Sequence, residues 1–135
     1  MDPSTQEPLT TDALFRFYSM TKPITSLGLM MLHDEGLVDL DAPASDYLPE
    51  LTNREVLVRV DTASGTAITR PASRSPTVRD LLRHTSGFGY TFSSPELRDL
   101  DTYGELDGRA QPILHDPGAR WTYGMSTAFV GWIVE

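Results

Sequence analysis

Cysteine is absent from the 135 residues. Disulfides, thiolate metal sites and cysteine nucleophiles are thereby excluded, while the compartment stays open. Basic residues are scarce: 11 Lys and Arg stand against 19 Asp and Glu, a formal net charge of −8. That balance argues against a nucleic-acid partner, whose phosphates attract basic surfaces. Long apolar runs are lacking too. The longest, Leu27 to Leu32, falls far short of the roughly 20 residues a membrane span needs. The polar, acidic start Met1-Asp2-Pro3-Ser4-Thr5-Gln6-Glu7 has no apolar core of the kind a signal peptide shows. Neither an internal repeat nor a low-complexity tract is visible. Metal-ligand spacings such as His-x-x-x-His or His-Glu-x-x-His do not occur, so a metal site is not expected.

What is present reads as one globular domain, with 39% hydrophobic and 22% charged residues. Ala13 to Phe17 alternates like a short extended segment feeding a helix. Pro23 lacks an N–H and belongs in a first turn, so that helix should begin around residues 19–22, with Ser19 at or beside its N-cap. Its apolar residues, Ile24, Leu27, Leu29, Met30, Met31 and Leu32, run nearly all round, the pattern of a helix buried in a larger structure. Gly36 is a natural stop, with His33 in the last turn. Asp41 is a candidate cap for a short helix over Pro43 to Tyr47, ended by Pro49. Glu55 to Val60 and Ala67 to Arg70 flank turn residues at Ser64-Gly65 and predict a hairpin. Thr77-Val78-Arg79-Asp80 resembles a capping box opening a helix through Arg83. Phe88 to Asp116 is polar and glycine-punctuated, with a short helix predicted near Pro95 to Leu100. Ser126 or Thr127 should cap a last helix, Ala128 to Glu135, which still carries Trp132, Ile133 and Val134 at the chain end.

The scarcity of lysine is the most informative. Lys22 is the only one, every other basic residue being arginine. Arginine cannot give up its proton at usable pH, whereas a crowded lysine can. Ser19 and Lys22 form an i, i+3 pair and share a helix face, which sets an amine beside a potential nucleophile. A helix start disfavours a cation, so the same field is expected to lower the pKa of Lys22 and favour a neutral base. Tyr123, between Trp121 and Met125, reads on spacing alone as core or groove lining. His33, His84 and His115, with Asp34, Asp80 or Asp116, offer a looser Ser-His-Asp reading that lacks a Gly-x-Ser-x-Gly elbow.

Phe15-Arg16-Phe17-Tyr18-Ser19-Met20-Thr21-Lys22-Pro23 resembles the Ser-x-x-Lys region of the serine β-lactamase-related hydrolases, a superfamily holding class C β-lactamases, DD-peptidases and family VIII carboxylesterases. Three landmarks follow in the expected order. Gly36 to Pro43, with Tyr47-Leu48-Pro49-Glu50, resembles the segment after the catalytic helix. Val78-Arg79-Asp80-Leu81-Leu82-Arg83-His84-Thr85-Ser86-Gly87 is similar to the signature "VRDLLxHTSG". Pro117-Gly118-Ala119-Arg120-Trp121-Thr122-Tyr123 resembles the turn that leads to a Tyr-x-Asn motif. The resemblance implies an α+β architecture: the mainly helical portion of the β-lactamase/DD-peptidase fold with a small β-hairpin, most of the central antiparallel sheet missing. Residues 1–135 would be a partial domain, lacking N-terminal strands and the later third-motif strand, and inactive by themselves.

By the same resemblance Ser19 is the nucleophile, Lys22 its base or orienting group, and Tyr123 the second acid/base. The implied chemistry is acyl transfer on a small-molecule ester or amide, with no cofactor or metal. Oligomeric state is left open. Tyr123-Gly124-Met125 departs from Tyr-x-Asn, because methionine cannot offer the amide hydrogen bond of asparagine. This tilts the expectation towards a carboxylesterase, with a β-lactamase or DD-peptidase as the alternative and a non-catalytic domain of the same fold as a third reading.

Overall fold

Two helices from opposite ends of the sequence pack together and carry the rest. A computed structural model describes residue 8, residues 10–102 and residues 108–135. The first helix, α1 (Thr21–Asp34), follows a short 3-10 turn over Tyr18–Met20. Met20 is the N-cap and makes no side-chain cap bond, so Ser19 lies in the preceding turn instead of capping the helix. Pro23 falls in the first helical turn, where its missing N–H costs nothing. The helix ends where expected: Gly36 adopts φ +76°, and the N–H groups of Gly36 and Leu37 return to the carbonyls of His33 and Leu32. Those two bonds are a Schellman motif, which satisfies carbonyls the helix leaves open.

The expected hairpin is present as β1 (Glu55–Val60) and β2 (Ala67–Pro71), paired antiparallel with Leu57 opposite Thr69. A register shift between Leu57 and Arg59 bulges the first strand. Ile113 adds a parallel bridge to Val56, so the segment after residue 108 docks on the hairpin. Helix α2 (Val78–Leu82) opens with the full capping box: Thr77 accepts from the Asp80 N–H, and Asp80 accepts from the Thr77 N–H. Helix α3 (Pro95–Thr102) extends two residues past its expected end, and α4 (Ser126–Val134) closes the chain. Ala13 to Phe17 forms no strand.

Two expected caps are used otherwise. Asp41 caps nothing and instead makes a two-pronged ion pair with Arg79, at 2.7 and 2.8 Å. Ser126 is the first residue of α4, and its buried hydroxyl pairs with that of Ser86 at 2.8 Å. In both, a partner distant in sequence outbids the local N–H.

The main core joins Leu29 of α1, Leu40, Leu51, Val56, Val78, Leu81, Phe88, Ile113, Phe129 and Val130. Phe88 and Phe129 stack at 4.3 Å between ring centroids. Leu57, Leu97 and Leu100 form a smaller cluster under the hairpin. Leu29 is the only fully buried residue of α1. Leu14, Phe15, Phe17, Met20, Ile24, Leu27 and Met31 stay exposed and form an apolar stripe along α1 and its approach. Among the described residues no helix is long and apolar enough to cross a membrane.

Candidate active site

Three chain segments meet at the N-terminal end of α1. The first supplies Ser19 and Lys22, with Lys22 Nζ 3.4 Å from Ser19 Oγ. Tyr18, just before the serine, has φ +46°, a left-handed conformation that costs a bulky residue energy and is found where a site fixes the backbone. The second segment follows α2. His84 turns the chain with φ +56°, Ser86 is tied to Ser126, and Tyr90 emerges 3.2 Å from Lys22 Nζ. The third segment runs through Trp121 to Gly124, held to the second by the Thr122 N–H donating to the His84 carbonyl.

This docking delivers Tyr123. Its hydroxyl donates to Ser19 Oγ at 2.6 Å across 104 residues of sequence. Gly124 makes the approach feasible, since a Cβ there would run into the Phe88 carbonyl and Gly89 Cα. The structure thus brings Ser19, Lys22 and Tyr123 together. It also adds Tyr90, which the sequence did not single out. An aromatic residue three positions beyond the Gly87 turn was the available signal, and local periodicity gives such a residue no tertiary address.

Electrostatically the pair is the reverse of the sequence expectation. Lys22 is raised above its ordinary 10.5: burial pulls it down, but hydrogen bonds to Tyr123 and Tyr90 outweigh that pull. Tyr123 is lowered from 10.0, first by its bond to Ser19 and then by Lys22. A phenol is an acid and an amine a base, so contact favours the ammonium and phenolate forms together. The two phenols that hold the Lys22 proton against burial come from segments whose proximity the sequence does not reveal. An ammonium, a phenol of lowered pKa and a hydroxyl within one hydrogen-bonded cluster can pass a proton from hydroxyl to phenolate.

The histidines play other parts. His33 Nδ1 donates to the Val38 carbonyl at 2.8 Å, and His115 bridges the Asp116 carbonyl and the Thr122 hydroxyl. His84 lies against the Tyr123 ring with centroids 5.0 Å apart. Its Nδ1 is buried without a hydrogen-bond partner among the described residues, and burial, with Lys22, lowers its pKa. None hydrogen-bonds Ser19 among the described residues. No group of three acidic or histidine side chains able to hold a metal occurs among the described residues either.

The fold is that of a β-lactamase-type domain. A simvastatin synthase mutant from Aspergillus terreus superposes with a TM-score of 0.88 at 38% identity, over 99% of this chain and 34% of that one. The chain belongs to the Beta-lactamase family, whose model matches residues 1–135. Monacolin J acid methylbutanoyltransferase of Aspergillus terreus is 37% identical over 137 residues, covering 95% of this chain and 33% of that protein. Esterase EstB of Burkholderia gladioli is 32% identical over 143 residues, again 95% of this chain and 33% of the other. The chain therefore spans about a third of the length of the relatives it matches. The relatives' names include acyl transfer as well as ester hydrolysis, a wider class than the hydrolase expected from the sequence.

Proposed function

We propose that the chain carries the nucleophile and proton-transfer groups of a serine acyl-transfer site acting on small-molecule esters. One observation carries this reading: the Tyr123 hydroxyl stands 2.6 Å from Ser19 Oγ, with Lys22 on the same oxygen. Ser19 Oγ attacks the ester carbonyl while its proton passes to the Tyr123 phenolate, which the Lys22 ammonium stabilises. The carbonyl electron pair moves onto oxygen, and backbone N–H groups near the helix start, that of Ser19 among them, would supply part of the oxyanion hole. Collapse re-forms the carbonyl and breaks the bond to the leaving oxygen, and Tyr123 hands its proton to the departing alkoxide. The acyl-serine is then released by the same steps in reverse, with water or an alcohol giving its proton to Tyr123. Water makes the protein an esterase; an alcohol makes it an acyltransferase.

The names of the relatives support both outcomes. Met125 supports esters over β-lactams or peptidoglycan peptides, since it packs against the core and offers no amide. The test uses a protein of the relatives' length that carries this chain. Short p-nitrophenyl esters should turn over, a chromogenic cephalosporin should not, and Ser19→Ala should lower kcat by about ten-thousand-fold. Full activity in that variant overturns the nucleophile. Cephalosporin turnover without ester turnover overturns the ester preference.

A further inference from the structure

A cleft of about 350 Å³ opens on the face of Tyr123, between the start of α3 and the segment Arg120 to Tyr123. Its volume is at the lower end of small-molecule sites. Leu114, Pro95 and Trp121 supply its apolar lining, Ser93, Ser94 and Thr122 add hydroxyl-bearing positions, and Arg120 and Glu96 stand at its walls. Trp121 is the notable member. The residue is 65% exposed, yet its indole stacks on Tyr123 with centroids 6.1 Å apart and planes 21° from parallel. Behind it, His84 meets the indole edge-on at 6.1 Å, so the exposed ring is held from one side. A large aromatic ring left open while its orientation is fixed is a platform for an apolar group.

The direction of proton transfer decides which part of a substrate reaches this platform. Resting on the acyl-transfer reading, Tyr123 protonates the departing alkoxide and later deprotonates the incoming hydroxyl. Whatever is bonded to that oxygen therefore starts at the Tyr123 hydroxyl. From there the Tyr123 side chain, itself a wall of the cleft, leads to Trp121. The opposite charges of Arg120 and Glu96 cancel, which suits a neutral guest over a carboxylate or an ammonium. We infer that the cleft is the alcohol-side subsite, in which Trp121 selects a neutral, bulky apolar alcohol as leaving group and as acyl acceptor.

Acetate esters of one acyl group and varied alcohol test this on a protein of the relatives' length carrying the chain. Cyclohexylmethyl acetate should be preferred to ethyl acetate, and Trp121→Ala should lower that preference, read as a ratio of kcat/KM values, by about tenfold. Trp121→Phe should restore most of it. An unchanged ratio overturns the assignment. So does a Trp121→Ala effect that follows the acyl chain, acetate against hexanoate, at fixed alcohol. Calorimetry of cyclohexylmethanol on the Ser19→Ala protein reads the subsite without chemistry: binding weakened about tenfold by adding Trp121→Ala supports it, and no binding overturns it. Failure of the acyl-transfer reading shows separately, as an active Ser19→Ala protein.

Discussion

A phenol whose pKa is lowered beside an amine whose pKa is raised sets the pH dependence of the proposed chemistry. Tyr123 accepts a proton only when ionised, so kcat/KM should rise through its pKa, giving an acidic limb below 10.0. Lys22 titrates above 10.5, so its loss of charge should not cut activity below that pH. Replacing the ammonium by Lys22→Met should move the acidic limb up towards 10.0, visible in a pH–rate profile. Tyr123→Phe should abolish that limb and lower kcat by about 100- to 10,000-fold. A limb unmoved in Lys22→Met would show that the amine does not tune the phenol. Ser19 and Lys22 were legible in the sequence because one helix turn joins them and no other lysine dilutes the signal. Tyr123 was reached only through a resemblance, and Tyr90 was missed. Their places depend on how three distant segments dock, and local spacing carries no record of that.

Among the elements, α2 and the glycine after Tyr123 carry most of the positioning. Asp80 is buried, pairs with Arg74 at 2.5 Å, and also accepts from the Thr77 N–H and the Thr85 hydroxyl. Burial pushes its carboxyl up, but these partners together hold it below the ordinary 3.8. Its stabilising contribution is therefore complete above that value and fades as pH falls through the lower, folded-state pKa. Asp80→Asn should cost about 2 kcal/mol at neutral pH by urea denaturation, a deficit that shrinks in acid. Thr77→Ala should cost about 1 kcal/mol. Gly124→Ala should destabilise by about 2 kcal/mol and also depress kcat, because the new methyl collides with the Phe88 carbonyl and pushes the segment carrying Tyr123 away from it. The Thr77 box and the hairpin could be read from sequence, since their determinants are adjacent residues. Asp41 and Ser126 could not, since Arg79 and Ser86 claim their side chains from 38 and 40 residues away.

Over the whole molecule, the apolar stripe from Leu14 to Met31 is the feature a water-soluble surface would not carry unaided. The 135-residue chain by itself should self-associate, with a sedimentation coefficient that rises with concentration. Replacing Ile24, Leu27 and Met31 with glutamate should shift it towards monomer without lowering far-UV helicity. The architecture was legible as far as the family resemblance reached, and it failed mainly at Ala13 to Phe17, where alternation without a partner strand made no strand. The bond between Tyr123 and Ser19 has a biosynthetic consequence. A ribosome delivers Ser19 first and Tyr123 104 residues later. Until that stretch emerges and docks, Ser19 lacks the phenol to which the proposed mechanism passes its proton. On the proposed mechanism, a chain interrupted before residue 123 should react slowly with a fluorophosphonate, and labelling of Ser19 would report the docking of the Tyr123 segment.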